Sequence, residues 1–428
     1  MTIMRIEINP QRNIWQSLTA RVQRSDADIE ARVSDILSQV RTGGDAAIRQ
    51  LALQIDGYEP EQLQVSKREF SGAYAAVGPD VRAAIRHAAR NIKAFHAAQR
   101  FEEVKVETQP GVVCVQRAVP ISTVGLYIPG GTAPLFSTVL MLAIPARLAG
   151  CKRVVMCTPA DKEGLVSAEV LEAARLCDVD AVYKIGGAQA IAAMAYGTES
   201  VPRVDKIFGP GNRYVTKAKQ QVSCQGVAID MVAGPSEVLV IADSTANPRY
   251  VAADLLSQAE HGADSQVVLV CTSEEFARRA LAELKVQLAC LSRRDIADKA
   301  LEESSVIVLP SIDDCIDFSN LYAPEHLILA VADPWKAAAR VTAAGSVFIG
   351  HYSPESAGDY ASGTNHTLPT SGTARACSGV NLDSYMRKIT YQELTRDGLA
   401  SLGSTIVTMA EAEGLEAHAQ AVKVRLEK

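Results

Sequence analysis

Apolar residues recur at helical spacing in two early segments of the chain, residues 26–54 and 66–100. Gly43 and Gly44 interrupt the first segment, as glycines do when they break a helix. Residues 1–20, in front of both segments, are predicted to form an extended arm. The pattern therefore predicts a helical N-terminal region that follows a short arm.

From residue 112 to residue 349, short apolar runs alternate with amphipathic segments. The runs predict strands at residues 112–118, 123–128, 153–157, 181–185, 206–208, 238–242, 267–271, 306–309 and 346–349. The intervening segments predict helices that include residues 135–149, 165–176, 212–222, 248–260 and 334–343. This alternation predicts an α/β fold with parallel sheets and helices on both faces. The number of strands favours two incomplete Rossmann-like domains, and residues 382–428 are predicted to form a mostly helical tail.

Composition and charge narrow the range of functions. The 428 residues carry a net charge of −6 and no basic block, so neither nucleic acid nor an anionic membrane is an expected partner. The longest apolar run, residues 124–148, is broken by Pro129, Pro134 and Pro145, which disfavours a transmembrane helix. The N-terminus has no apolar secretory region. Nine cysteines, an odd number without a CxxC pair, predict free thiols in a reducing cytoplasm.

The most unusual stretch is PESAGDYASGTNHTLP, residues 354–369, which combines Asp359, Tyr360, Asn365 and His366 with small residues. A loop of this length inside a compact chain is usually functional or disordered. The composition is not that of a disordered linker. We therefore expect a functional loop whose backbone approaches a ligand closely.

Three glycine turns follow predicted strands, at residues 129–131, 186–189 and 209–212. A strand, a glycine turn and a helix N-terminus together bind phosphate through free N–H groups and the helix dipole. None of the turns has the G-x-G-x-x-G pattern, so each one is equally compatible with a tight turn that binds nothing. Three such turns close together favour one shared nucleotide site of non-standard form.

Gln258 and His261 lie at the end of the helix predicted at residues 248–260, and their i, i+3 spacing places both on one face. A histidine near a helix C-terminus is more often a surface residue, and a surface position is also the simpler interpretation of His418. With Asp359, the two histidines and an amide oxygen would form a nitrogen and oxygen site suited to Zn²⁺. Spacing alone does not show whether these side chains meet.

Glu325 and His326 follow Pro324 and precede the apolar run of residues 327–331. Neighbours on a strand point to opposite faces, so both reach one substrate only if the chain bends, as Pro324 allows. A histidine is suited to taking a proton from an alcohol, and a carboxylate is suited to activating water. The alternative is a surface glutamate beside a histidine that starts a strand.

Several long blocks, from about residue 25 to the C-terminus, resemble the histidinol dehydrogenase family. The blocks are GLYIPGG, GGAQAIAA, DKIFGPGN, DMVAGPSEVLVIAD, DLLSQAEHG, YAPEHL and GSVFIGHYSPESAGDYASGTNHTLPT. Their number and order make the resemblance far more specific than any single glycine turn. It implies a two-step oxidation of L-histidinol through the aldehyde to L-histidine, with two NAD⁺. It also implies a homodimer with one Zn²⁺ per subunit.

The resemblance implies a role for individual residues. His326 would take the substrate proton as hydride leaves for NAD⁺, and Glu325 would activate the water that hydrates the aldehyde. The implied Zn²⁺ ligands are Gln258, His261, Asp359 and His418. The implied substrate contacts are these four ligands together with Ser236, His326, His366 and Glu413. The implied NAD⁺ contacts are Tyr127, Gln189 and Asn212.

The resemblance also implies a discontinuous division of the chain. The helical tail is expected to cross to the partner subunit, which would bring Glu413 and His418 into that subunit's site. The implied parts are an N-terminal arm (1–25), a first α/β domain (26–122 and 234–380), an inserted Rossmann-like NAD-binding domain (123–233) and the tail (381–428).

Three other functions compete with this one. A relative that oxidises another alcohol, such as a sulfonated diol, is disfavoured by His366 and Glu413, which suit an imidazole and an amine. A zinc hydrolase is disfavoured by the glycine turns and by the lack of an HExxH motif. A non-catalytic nucleotide-binding protein is disfavoured by the presence of Glu325 and His326.

Overall fold

The computed structural model describes residues 4–21, 27–130, 134–231 and 234–427. The sequence predictions for Gly131, and for the ends of the arm at residues 1–3 and 22–25, lie outside these ranges. In the described ranges the strands are β1 (Arg5–Ile8), β2 (Val104–Gln109), β3 (Val112–Pro120), β4 (Thr123–Tyr127), β5 (Arg153–Thr158), β6 (Ala181–Lys184), β7 (Lys206–Phe208), β8 (Ala228–Ile229), β9 (Glu237–Ala242), β10 (Gln266–Cys271), β11 (Ser305–Val308), β12 (His326–Ala330), β13 (Ser346–Ile349) and β14 (Met386–Leu394).

The helices surround these strands and account for most of the remaining chain. They are α1 (Trp15–Leu18), α2 (Ala27–Asp56), α3 (Lys67–Ala76), α4 (Pro79–Ala97), α5 (Phe136–Ala149), α6 (Ala168–Leu176), α7 (Gly187–Tyr196), α8 (Arg213–Ser223), α9 (Pro248–Ala259), α10 (Glu274–Leu288), α11 (Arg294–Glu302), α12 (Ile312–Tyr322), α13 (Pro334–Ala338), α14 (Glu355–Tyr360), α15 (Arg396–Ala412) and α16 (Glu416–Leu426). Short 3₁₀ turns lie at Arg12–Ile14, Thr373–Arg375 and Leu382–Tyr385.

A six-stranded sheet has the order β1-β11-β10-β9-β12-β13, and all its neighbours are parallel. Its central strand β9 is buried along its whole length. Val238 and Val240 pack into the cluster formed with α9, α10 and α11, whereas Leu239 and Ile241 pack into the cluster formed with α12. This two-sided burial explains why the central strands appear in the sequence as continuous apolar runs.

A five-stranded parallel sheet has the order β6-β5-β4-β7-β8. Helices α5 and α6, with α3 and α4 against them, cover one face, and α7 and α8, with α2 against them, cover the other. The prediction of an α/β fold with two parallel sheets is therefore confirmed. The predicted domain boundaries stay a prediction, although α2, α3 and α4 contact the helices of this second sheet.

The two ends of the chain follow their predictions only in part. Residues 5–8 of the predicted arm are extended as β1, which pairs with β11 at the edge of the six-stranded sheet. Residues 12–18 form a 3₁₀ turn and α1, so the prediction of an extended chain there is wrong. The tail is mostly helical, as predicted, and contains α15 and α16, but its residues 386–394 form the strand β14. Strand β14 pairs antiparallel with β3, and its side chains are exposed. It therefore lacks the apolar alternation that identifies a strand in the sequence.

The stretch at residues 354–369 was predicted to be a loop, and its first part is instead the short helix α14. This helix packs against α9, which matters for the site described below. No helix in the four described ranges combines the length and the apolar character needed to cross a membrane.

A buried ion pair holds the third glycine turn. Lys219 and Asp230 form a salt bridge, with side chains 3% and 0% exposed. Lys219 Nζ donates to the carbonyl oxygen of Gly209 at 2.9 Å, and the N–H of Gly209 donates to Asp230 Oδ2 at 2.7 Å. Gly209 has φ 125°, and a Cβ atom there would overlap the carbonyl oxygen of Tyr127. The turn therefore requires both a glycine and this ion pair.

Replacing Lys219→Met leaves the carboxylate of Asp230 buried without its cation. We expect the free energy of unfolding to fall by about 3–5 kcal/mol, measured by urea denaturation. The double variant Lys219→Met/Asp230→Asn should recover part of this loss. The control Arg294→Met breaks an exposed pair on α11 and should change stability by less than about 1 kcal/mol. A loss in Lys219→Met no larger than in this control contradicts the prediction.

Candidate active site

The acid–base pair predicted from the sequence lies where α12 leads into β12. Ala323 ends α12 in the left-handed conformation, with φ 53°, and Pro324 follows, so the chain bends directly before the strand begins at His326. This bend brings two adjacent side chains together. The Nδ1 atom of His326 lies 3.7 Å from Oε2 of Glu325, and both residues are buried.

Glu237, the first residue of β9, contacts both members of this pair through its backbone. Its N–H donates to Glu325 Oε2 at 2.9 Å, and its carbonyl oxygen lies 3.1 Å from His326 Nδ1. A carbonyl oxygen only accepts, so we assign the ring hydrogen to Nδ1 and the lone pair of the neutral ring to Nε2. Nε2 is buried and has no hydrogen-bond partner among the described residues. A neutral His326 can therefore take a proton at Nε2.

A second group of polar side chains comes from α9 and α14, which pack together. His261 lies in the turn after α9, and Glu355 and Asp359 lie one helical turn apart on α14. One donor atom from each of these three residues lies within 4.8 Å of the other two. Gln258, near the end of α9, is fully buried, and its side-chain amide faces the carboxylate of Glu355. A carboxylate only accepts, so we assign the amide nitrogen to that side, where it donates to Glu355. Asp359 Oδ1 lies 3.6 Å from Nε2 of His326, so the two groups form one site.

The site holds more buried carboxylates than positive charges. Burial raises the pKa of Glu325 to about 8 and also holds the pKa of Glu355 well above its usual value. Burial acts to lower the pKa of His326, but the carboxylates of Glu355 and Glu325 outweigh it and raise that pKa to about 10. Without a bound cation the ring of His326 is therefore protonated. A cation among the carboxylates would offset their charge and favour the neutral ring, which is the form that can act as a base.

The residues present suit a divalent cation. Desolvation lowers the pKa of His261, which keeps its imidazole neutral with a free lone pair. Burial acts to raise the pKa of Asp359, but its charge interaction with nearby His326 outweighs this and lowers it. A neutral imidazole, an ionised carboxylate and the amide oxygen of Gln258 are the forms in which these groups bind Zn²⁺. A positive ion there would also offset the excess of carboxylates.

Two of the predicted substrate contacts border this site. His366 Nδ1 lies 3.0 Å from the backbone oxygen of Asp359, and its Nε2 lies 3.1 Å from Thr138 Oγ1 on α5. His366 therefore links the site to the helices of the five-stranded sheet. Ser236 directly precedes β9, and its carbonyl oxygen accepts a hydrogen bond from the N–H of Gln266. This places Ser236 next to the residue that contacts the acid–base pair.

Two other predicted residues lie elsewhere in this chain. Glu413 follows α15 and His418 lies on α16, and both are exposed. Helix α16 packs against α15. Neither residue belongs to the cluster of His261, Glu355 and Asp359. Within one chain, the structure does not bring Glu413 and His418 to the site.

The three predicted cofactor residues lie at the carboxyl edge of the five-stranded sheet. Tyr127 ends β4, and its hydroxyl oxygen accepts a hydrogen bond from the N–H of Gly187 at 3.1 Å. Gln189 is buried in the first turn of α7. Asn212 caps α8, since its side-chain oxygen accepts from two N–H groups of the first turn. The strand order reverses between β4 and β7, and open α/β sheets bind ligands at such a point.

Sequence reasoning gave no role to two residues of the site. Glu355 stands in the same block as Asp359, but the interpretation of residues 354–369 as a loop concealed it. The i, i+4 spacing of two carboxylates on one helix face is the signal that identifies Glu355. Glu237 acts through its backbone, and no sequence pattern indicates such a contact.

Proteins of one family share both the sequence and the fold of this chain. The family model described as histidinol dehydrogenase matches residues 19–426. The histidinol dehydrogenase of Bacteroides fragilis is 55% identical over 418 residues, which cover 98% of each chain. That of Aliivibrio fischeri is 53% identical over 426 residues, which cover 97% of this chain and 96% of the relative.

A solved structure agrees with these sequence matches. The crystal structure of histidinol dehydrogenase from Elizabethkingia anophelis matches with a TM-score of 0.97 and 51% identity, over 100% of this chain and 98% of that one. The likeness therefore extends over both parallel sheets and over the segments that form the site. The chain belongs to the histidinol dehydrogenase family.

Proposed function

We propose that the chain oxidises L-histidinol to L-histidine through L-histidinaldehyde, and that each of the two steps reduces one NAD⁺. Membership of the histidinol dehydrogenase family makes the chain an oxidoreductase of histidine biosynthesis. The observation that carries the residue-level proposal is the buried pair of Glu325 and His326. Both side chains are held by the backbone of Glu237, beside a cluster of metal-ligand groups.

In the first step His326 is the general base. Its neutral Nε2 takes the proton of the substrate hydroxyl while a hydride leaves the same carbon for NAD⁺, and the C–O bond becomes the carbonyl of the aldehyde. The hydrogen bond from Nδ1 to the carbonyl oxygen of Glu237 keeps the ring oriented. The same bond stabilises the imidazolium that forms.

In the second step Glu325 activates a water molecule. Its carboxylate takes one proton from the water as the oxygen bonds to the aldehyde carbon, and the carbonyl oxygen takes the proton that His326 gained in the first step, so the product is the hydrated aldehyde. His326, neutral again, then takes a proton from a hydroxyl group of this hydrate. A hydride leaves for a second NAD⁺, and the carboxyl group of histidine forms.

Gln258, His261 and Asp359 would hold one Zn²⁺ per subunit together with His418 of the partner subunit. When bound, the ion would supply positive charge and would orient the substrate through its nitrogen atoms. Glu355 supports this set because it accepts the amide hydrogen of Gln258, which leaves the amide oxygen available as a ligand.

The remaining contacts divide between substrate and cofactor. Ser236, His366 and Glu413 would contact the substrate. NAD⁺ would bind at the carboxyl edge of the five-stranded sheet, with Tyr127 and Gln189 on one side of the switch point. Asn212 would bind on the other side through its amide nitrogen, because its oxygen already caps α8.

A homodimer with shared sites is supported by the exposure of the tail. Glu413 and His418 have no role within their own chain's site, and Met409 and Val424 are 60% and 48% exposed on α15 and α16. A partner subunit that covers these helices would bury the apolar residues, and Glu413 and His418 would then lie at the partner's site.

Free cysteines support a cytoplasmic location. One of them, Cys271, is buried, and burial raises its pKa to about 11.

The direct test adds L-histidinol and NAD⁺ to the purified protein and follows the reduced nicotinamide to completion. Two reduced cofactors per histidinol, lost on chelation and restored by Zn²⁺, are expected. A signal with another alcohol but none with histidinol would overturn the substrate. No signal with any alcohol would favour a hydrolase or a binding protein.

Glu325→Gln keeps an oxygen that accepts the N–H of Glu237 but removes the proton acceptor. We expect oxidation of the aldehyde to slow by about 10²–10⁴-fold, with a much smaller effect on oxidation of the alcohol. Single-turnover rates with each substrate measure the two steps separately. Glu275→Gln, an exposed position on α10, is the control. Equal losses in both steps would contradict the role of Glu325 in activating water.

The raised pKa of Glu325 predicts a pH dependence for aldehyde oxidation. With a pKa of about 8, the carboxyl group is protonated at lower pH and becomes a base as the pH rises through that value. The single-turnover rate should therefore increase with pH through the ionisation of Glu325 and also of His326, which is a base in the same step. In Glu325→Gln only the rise due to His326 should remain, so the logarithm of the rate should increase with about half the slope. An unchanged slope would assign the rise to other groups.

Hybrid dimers test whether the site is shared between subunits. We expect His418→Ala to lower the zinc content, and both His326→Asn and His418→Ala to inactivate the homodimer. A mixed dimer of the two variants contains one site with His326 and the partner's His418 both intact. Random reassociation should therefore restore about a quarter of the wild-type activity. No recovery in verified mixed dimers, or full zinc occupancy in His418→Ala, contradicts the shared site.

A further inference from the structure

One arginine of the N-terminal arm holds the residue that contacts the acid–base pair. Glu237 is 1% exposed, and its carboxylate accepts two hydrogen bonds from Arg21, from Nε to Oε1 at 2.9 Å and from Nη2 to Oε2 at 2.7 Å. The N–H of Ser371 donates to the same Oε1 at 3.0 Å. Two parallel bonds from a planar guanidinium fix the orientation of a carboxylate, which a single point charge does not.

Arg21 also contacts the end of α12, the segment that leads into Glu325 and His326. Its Nη1 donates to the carbonyl oxygens of Tyr322, at 2.7 Å, and Thr19, at 3.0 Å. Its guanidinium lies 3.5 Å from the centre of the Tyr322 ring. Tyr322 is the last residue of α12, directly before the bend that leads to Glu325. Arg21 therefore joins the start of β9 to the end of α12, the two segments that meet at the pair.

A buried ion pair by itself is weak evidence for a role beyond packing, because apolar residues of similar volume often stabilise a fold as well. The Arg21–Glu237 ion pair differs because the backbone of its glutamate contacts both proposed catalytic residues. The N–H and the carbonyl oxygen of Glu237 bind Glu325 and His326 respectively. A rotation of Glu237 therefore displaces both proposed catalytic groups at once.

We propose that Arg21 is a positioning residue for Glu325 and His326, and that it acts through the carboxylate of Glu237. The inference rests on the proposed acid–base roles of that pair. Arg21 holds Glu237 in the orientation in which its carbonyl oxygen receives the Nδ1 hydrogen, so His326 presents its lone pair at Nε2. Without Arg21 the buried carboxylate loses its cation, the start of β9 shifts, and the ring loses its fixed tautomer.

The test compares Arg21→Met, Arg21→Lys and Arg21→Met/Glu237→Gln in the zinc-loaded full-length protein. The double variant removes the unpaired charge, so a folded protein remains available if Arg21→Met does not fold. The matched control is Arg12→Met, which removes another arginine of the arm. Like Arg21, Arg12 donates a hydrogen bond to a carboxylate, that of Asp314, and its guanidinium lies near an aromatic ring, 4.9 Å from the centre of Trp15. Unlike Arg21, its side chain lies on the surface and is 65% exposed.

We expect kcat of both oxidation steps to fall about tenfold to a hundredfold in the Arg21 variants. The KM for histidinol and the zinc content should stay within about twofold. Arg21→Lys keeps the charge but not the paired bonds, so most of the loss should remain, and Arg12→Met should keep the wild-type kcat. Unchanged kcat in folded Arg21 variants, or full recovery with lysine, overturns the proposal.

¹⁵N NMR of the histidine rings separates this inference from the proposed function, because it needs no turnover. The neutral His326 ring, assigned with His326→Asn, should carry its hydrogen on Nδ1 in the wild-type protein and show mixed tautomers in the Arg21 variants. A wild-type protein with this tautomer that does not oxidise histidinol contradicts the proposed function. An active wild type whose Arg21 variants keep the tautomer contradicts the positioning role.

Discussion

The burial of several carboxylates in one place is the constraint on which the rest of this structure depends. Glu237, Glu325, Glu355 and Asp359 are all buried near the ends of β9, β12 and α14. A buried carboxylate is destabilising unless a cation or hydrogen-bond donors compensate it. Here the compensating groups come from the arm, the start of β9, the end of α9 and the imidazoles, with Arg21 the most distant in sequence. The site therefore requires all these segments to be in place at the same time.

The residues proposed for catalysis lie at the amino ends of the strands in one parallel sheet, and those proposed for cofactor binding lie at the carboxyl ends in the other. The proposed acid–base pair lies at the amino ends of β9 and β12, where α9 also ends, and the C-terminal end of a helix dipole favours a cation. Tyr127, Gln189 and Asn212 lie at the carboxyl ends of their sheet, where α7 and α8 begin, and helix N-termini favour phosphate. His366, bonded to Thr138 on α5, connects the two regions. The polarity of the elements thus matches a metal at one region and a dinucleotide at the other.

Sequence reasoning succeeded where burial leaves a pattern and failed where the relevant partner is distant. The central strands were found because both their faces are buried, so they appear as apolar runs. Strand β14 was missed because its side chains are exposed and its partner β3 is far away in the chain. Glu355 was missed because α14 is too short to show helical periodicity, although Asp359 and His261 in the same cluster were identified. The exposed position of His418 has no explanation within one chain, because a second subunit does not appear in a single sequence.

The pairing of β1 with β11 has a consequence for how the protein is made. Arg5 pairs with Ser305, 300 positions later in the chain. At synthesis rates of about 5–20 residues per second, the first strand leaves the ribosome roughly 15 to 60 s before its partner. During that interval the five-stranded sheet can form, but β1 stays unpaired because its partner β11 has not yet been synthesised. A nascent chain of this protein thus carries an unpaired β-strand for most of its synthesis, a segment of the kind that chaperones protect from aggregation.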